Sequence, residues 1–124
     1  LMHTGDNRYD YSNPNRLIPV LNIYKNLTVI GAHMGGWSVW DDAIEQLSGL
    51  PNFYVDCSST FFFVSREKAK ALIKKFGADR VLFGTDYPMW SPKTEIDSIL
   101  SLGLDEQEIM SILNINAKKL FNLE

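Results

Sequence analysis

Three side chains in this 124-residue sequence could carry out polar chemistry from the ends of apolar runs. His3 closes "LMH", His33 closes "LTVIGAH" and Asp86 closes "RVLFGTD". Neutral imidazole and carboxylate are the usual non-cysteine ligands of zinc and similar ions. An ion so held acidifies bound water and polarises a carbonyl group. The three residues lie 30 and 53 positions apart, yet they converge if each ends a neighbouring strand. Taken singly, a histidine after a strand is more often a hydrogen-bonded packing residue. A single aspartate in "GTDYP" serves a turn as readily as a metal. Three such residues ending three runs of one array favour a shared site.

The elements that must position them are readable from pattern. "LMH" (1–3), "LTVIGAH" (27–33), "FYVDCS" (53–58) and "RVLFGTD" (80–86) are short, mostly continuous apolar runs, as buried parallel strands are. The last three start about 26 residues apart. Helical patterns fill the gaps at 13–26, 40–49, 65–77, 93–103 and 105–123. Asn13 and Ser65 stand at N-cap positions, Pro14 at a first helical position, and Gly49 and Gly77 at stops. Pro19 is expected to move the start of the first helix later. Strands alternating with helices of this length need crossovers, hence a parallel α/β sheet. The C-terminal strand ends of such a sheet line one face, where these folds place their active sites. His3, His33, Asp56 or Cys57, and Asp86 fall there. Gly5, Gly35 and Gly36 would permit tight turns and close backbone approach to a ligand.

Other residues offer less. Cys57 is better read as a small buried apolar residue than as a nucleophile. Asp56, Ser58 and Ser59 suit a turn or a helix cap. "TFFF" (60–63), with Trp37, Trp40, Tyr87, Met89 and Trp90, could wall an apolar pocket or pack loops. No G-x-S-x-G elbow and no G-x-G-x-x-G fingerprint is present.

Composition narrows the class. Hydrophobic residues make up 45% and charged residues 22%, enough apolar material for one sizeable core. The net charge of -3, from 15 acidic and 12 basic residues without a basic stripe, gives no nucleic-acid surface. The apolar runs are too short to span a membrane, and no signal-peptide pattern is present. A single cysteine excludes an internal disulfide and fits a reducing, cytoplasmic location. Leu1 stands inside a strand pattern, so an upstream part is expected.

The motifs "HTGD", "SNPNRLIPVLNIYKNLTVIGAHMGG", "VDCSS", "ADRVLFGTDYPM" and "ILNINAKKLF" come in the same order as in the C-terminal half of the amidohydrolase-2 family. This family includes the aminocarboxymuconate-semialdehyde decarboxylase-like enzymes of the amidohydrolase superfamily. The resemblance covers essentially the whole chain. It implies a single partial domain over residues 1–124, namely strands 5–8 of a metal-dependent TIM-type (β/α)8 barrel. It implies a metal-dependent hydrolase cleaving C–N or C–O bonds, or a non-oxidative decarboxylase of a carboxylated small molecule. Carried over, His3 matches the strand-5 metal ligand, His33 the strand-6 catalytic histidine, and Asp86 the strand-8 aspartate that binds the metal and shuttles a proton. The implied cofactor is a divalent metal, with zinc the expected ion. The family's H-x-H pair after strand 1 has no counterpart, since His3 and His33 are the only histidines. A complete site of the family's kind therefore cannot form within this one chain. Open apolar edges at strands 5 and 8 are expected to drive self-association. The alternative is a catalytically silent half-barrel that self-associates through those edges.

Overall fold

The computed structural model describes residues 1–124. Helix α1 (Pro14–Ile23) precedes strand β1 (Val29–Gly31), and α2 (Trp40–Leu47) precedes β2 (Phe53–Asp56). Helix α3 (Arg66–Phe76) precedes β3 (Val81–Leu82). Helices α4 (Pro92–Leu100), α5 (Glu106–Met110) and α6 (Asn116–Phe121) close the chain, with a π turn at Ser111–Ile115 joining the last two. The strands form one parallel sheet in the order β1-β2-β3. Met2 adds a parallel bridge to Gly31. The strands are shorter than the apolar runs that announce them, because each run continues past its ladder into the loop that carries the polar residues.

Local chemistry sets most boundaries. Pro14 begins α1, where a missing N–H costs nothing. Pro19 does not delay that start but lies inside the helix. One intrahelical bond is lost there, and Leu17 and Leu21 still bury the inner face. The Ser65 side chain accepts the Lys68 N–H at 3.2 Å to cap α3, and Gly77, at φ 91°, ends it. Asp105 and Glu108 form a reciprocal capping box at α5.

Alternation along the strands separates core from site. Phe53, Val55 and Cys57 belong to the core cluster with Leu72, Ile73, Val81 and Ile99 from the third to fourth βα units. Asp56 and Ser58, one residue out of phase, line a cleft on the other side. Each fully buried aliphatic or aromatic side chain in the core contributes about 1.5–3 kcal/mol.

The sheet is open, as the sequence pattern implies, and its β3 edge is partly covered. On β3, Leu82 pairs towards β2, accepting from the Cys57 N–H at 3.1 Å. Two of the outward groups also find partners. The Phe83 N–H donates to the Ile112 carbonyl in the π turn at 3.0 Å, and Asn116 Nδ2 donates to the Val81 carbonyl at 2.7 Å. The chain's own last helices thus cover part of the β3 edge, and the three-stranded sheet remains open. The π turn frees the Ile112 carbonyl for this bond. No helix is long and apolar enough to cross a membrane.

Candidate active site

The C-terminal strand ends open into a cleft of about 820 Å³. Its lining includes His3, His33, Asp56, Ser58, Ser59 and Asp86. Trp37, Phe63, Met89 and Trp90 supply apolar walls. All three residues singled out by the strand pattern therefore face one cavity.

His33 is the most firmly held of them. It is buried, at φ 58°, and is followed by Met34 at φ 53° and Gly35 at φ 73°. Two consecutive non-glycine residues in the left-handed region cost roughly 1–2 kcal/mol each. Asp56 holds this bend in place. Its Oδ1 accepts the His33 N–H at 3.2 Å, and its carbonyl accepts the Met34 N–H at 2.7 Å. The same Oδ1 accepts the Ser58 N–H at 2.9 Å and the Ser58 hydroxyl at 2.5 Å. Because the Ser58 proton goes to Asp56, Ser58 Oγ faces His33 Nδ1 (3.1 Å) as an acceptor. The Ser58 carbonyl accepts from the same nitrogen at 3.0 Å. Nδ1 therefore carries the hydrogen, and Nε2 keeps the free lone pair. Trp40 Nε1 donates to the His33 carbonyl at 3.0 Å.

His3 is exposed, and its ring lies edge-on to His33 with centroids 4.9 Å apart. His3 Nε2 donates to the Gly5 carbonyl at 3.0 Å, leaving Nδ1 as the lone-pair nitrogen. Asp86 is exposed, at φ 55°. Its Oδ2 accepts the Ser59 hydroxyl at 2.8 Å, and Ser59 Oγ accepts from Trp90 Nε1 at 2.9 Å. Trp37 packs edge-on to His33 (5.4 Å) and to Phe63 (4.5 Å), and Phe62 stacks on Trp90 at 3.6 Å. The aromatic residues thus both wall the cleft and pack its loops.

The glycines let chain segments approach closely. A Cβ on Gly5 would stand 2.7 Å from the Gly36 carbonyl carbon, and one on Gly36 would stand 2.6 Å from Ala43 Cβ. Close packing of the loop after Met2 on the loop after β1 is what brings His3 to His33.

Cys57 is fully buried, and burial pushes its thiol up to about 12. A nucleophile needs the thiolate, so Cys57 is inert here. Glu95 on α4 is also fully buried, neither carboxyl oxygen has a hydrogen-bond partner, and burial pushes its carboxyl up to about 7.

The donor types suit a divalent cation, with free lone pairs at His3 Nδ1, His33 Nε2 and one Asp86 oxygen. Their number does not: no group of three His, Cys, Asp or Glu side chains lies close enough to hold a metal ion. These 124 residues do not surround an ion by themselves. The sequence pattern located His3, His33 and Asp86. It treated Asp56, Ser58 and Ser59 as turn residues, and their hold on the site shows only in three dimensions.

The amidohydrolase family model matches residues 1–123, so the chain belongs to that family. No curated protein is matched. An uncharacterized TIM-barrel protein from Bordetella bronchiseptica is 29% identical over 98% of this chain and 44% of its own, with a TM-score of 0.82. A dihydroxybenzoic acid decarboxylase from Polaromonas sp., solved with manganese and the inhibitor 2-nitroresorcinol, is 24% identical over 86% of this chain and 37% of its own (TM-score 0.67). An amidohydrolase from Burkholderia multivorans with bound zinc is 15% identical over 88% of this chain and 50% of its own (TM-score 0.63). The chain thus spans half or less of the length of these structures. It has the fold of about half a TIM barrel.

Proposed function

We propose that this member of the amidohydrolase family supplies half of a metal-dependent active site for a small-molecule substrate. The observation that carries the reading is the state of His33. Its Nδ1–H is tied to Ser58, its backbone is tied to Asp56, and its ring lines the cleft beside His3. An imidazole so fixed takes a proton at Nε2 from a water or substrate group in the cleft. Asp86, in the same cleft, holds or returns that proton through its carboxylate. His3 Nδ1 and Asp86 are the ligands this chain would contribute to a divalent cation, with the other ligands coming from outside residues 1–124. Such an ion would acidify water and polarise a carbonyl or carboxylate group.

The substrate reading is a flat, partly apolar molecule bearing a hydrolysable or carboxylate group, since Trp37, Phe63 and Trp90 wall the cleft. Hydrolysis of a C–N or C–O bond and non-oxidative decarboxylation both fit these groups. The Polaromonas neighbour is a decarboxylase of a hydroxylated aromatic acid, which makes aromatic carboxylates the first substrates to try. The test is divalent-metal content and turnover of the full-length gene product, with and without His33→Ala. Stoichiometric metal and a loss of about 10²–10⁴-fold in kcat are expected. A metal-free protein, or unchanged turnover in the variant, would sink the reading.

One observation favours a second reading. The 124 residues hold no three-ligand cluster, and large apolar side chains stand exposed around the cleft, among them Leu1, Met89 and Phe121. A silent module that self-associates by covering this face would show the same features. Pairing would run through the Leu1–His3 side, the uncovered part of the β3 edge and the cleft rim. Metal analysis of the full-length gene product separates the two readings, and light scattering of the 124-residue chain tests the second. A metal-free full-length protein with a concentration-dependent oligomer of the 124 residues supports the silent module, and a monomer counts against it.

A further inference from the structure

The side chains of Trp90, Ser59 and Asp86 form a chain with only one possible direction. Indole nitrogen can donate but not accept. Trp90 Nε1 lies 2.9 Å from Ser59 Oγ, so that oxygen must accept. Ser59 Oγ also lies 2.8 Å from Asp86 Oδ2. A carboxylate only accepts, so the single Ser59 proton is committed to Asp86. Ser59 is buried to 4% exposure, whereas Asp86 is exposed and has no other side-chain hydrogen bond. Both residues sit in the left-handed region, Ser59 at φ 58° and Asp86 at φ 55°. That conformation is uncommon for residues with a Cβ, and it fixes the direction of each Cα–Cβ bond. Ser59 and Trp90 both line the cleft, and Phe62 stacks on the Trp90 ring.

We propose that Ser59 is a positioning residue that fixes Asp86 by its Oδ2 and keeps the other oxygen turned to reacting groups, and that the indole N–H of Trp90 sets the direction of this hold. The aromatic wall and the working carboxylate are then one unit, and a ring seated against Trp90 is registered at Asp86. The inference rests on the reading of Asp86 as a working carboxylate, and its test can fail independently of that reading.

The experiment uses the full-length gene product labelled with ¹⁵N at tryptophan. Trp90→Phe identifies the Trp90 indole signal. Asp86→Asn and Ser59→Ala are then compared with the parent. The Trp90 N–H does not touch Asp86, so a shift in Asp86→Asn that is absent when Ser59 is already alanine is carried by Ser59. A shift in both variants is expected. Kinetically, Ser59→Ala should lower kcat about ten-fold with little change in KM, as loss of a group that orients an active-site ligand does. Trp90→Phe should lower kcat by a smaller factor, and the double variant should be no worse than Ser59→Ala alone. An unmoved Trp90 signal in Asp86→Asn, or multiplicative losses in the double variant, overturns the proposal. If Ser59→Ala does not fold, the Asp86→Asn signal and the Trp90→Phe kinetics still decide it. Full turnover in Asp86→Asn together with a moved signal would overturn the role of Asp86 in the proposed function and leave the linkage standing.

Discussion

Asp56 Oδ1 accepts the backbone N–H of His33 at 3.2 Å, so a carboxylate at the end of β2 holds the residue that ends the neighbouring run. The same oxygen accepts two bonds from Ser58. One atom thereby fixes the bend at His33 and the loop that sets its tautomer. Asp56→Ala should leave two buried N–H groups without an acceptor. At about 1–3 kcal/mol for each unsatisfied group, the loss should be about 3 kcal/mol. Asp56→Asn keeps an acceptor oxygen and should cost less. Urea unfolding of both variants checks the order, and equal midpoints would show that Oδ1 does not carry this load.

Asn116 does for the β3 edge what Asp56 does for the site. Its Nδ2 donates to the Ala78 and Val81 carbonyls, both at 2.7 Å, and the residue is buried. Asn116→Ala removes both bonds, and a loss of about 2–4 kcal/mol is expected. Asn116→Asp cannot donate and places a charge against two carbonyls, so it should be at least as damaging. Unfolding midpoints measure both. An aspartate variant more stable than the alanine variant would contradict the donor role.

Much of this was legible from residue patterns. Three continuous apolar runs at near-equal spacing fix a parallel βα array, and the polar residue after each run falls in the cleft. The pattern leaves Asp56 and Cys57 open, and the structure turns Asp56 to the cleft and Cys57 to the core. The rest was not legible because it depends on contacts across the sheet. Nothing in "DCSS" shows that Asp56 reaches His33, 23 residues away, or that Ser59 meets Asp86. The terminal "NINAKKLF" reads as a helix, but its π turn and its Asn116 bonds, which cover part of the β3 edge, arise only when that helix packs on the strand. Pro19 misled for the opposite reason: tertiary burial of Leu17 and Leu21 outweighs one missing backbone bond.

Cys57 should be silent to thiol reagents in the folded protein. It is fully buried in the core, with its thiol held far above neutral pH by burial. A disulfide reagent at pH 8 should label the native chain at a small fraction of the rate seen in denaturant. Cys57→Ala should preserve turnover and cost only packing, about 1–2 kcal/mol. Rapid native labelling would mean that the β2–β3 end opens easily.

Glu95 makes stability depend on pH in the direction opposite to an ion-paired carboxylate. Its side chain is fully buried without a partner, and burial lifts the carboxyl from 4.5 to about 7. Between those values the folded chain keeps a proton that the unfolded chain has released. The unfolded state then binds fewer protons, so stability falls as pH rises. The contribution is fully present below about pH 4.5 and is lost as pH passes 7, with a span on the order of 3 kcal/mol. Other carboxylates work the other way: Lys74 and the Asp105 backbone hold Glu108 below its usual range, which favours the folded chain as pH rises from acid. The Glu95 part is isolated by comparison with Glu95→Gln, which cannot titrate. Parent and variant should diverge between pH 5 and 8, the parent losing stability relative to Glu95→Gln as pH increases. Parallel unfolding curves across that range would mean that Glu95 titrates normally and has found a partner or solvent.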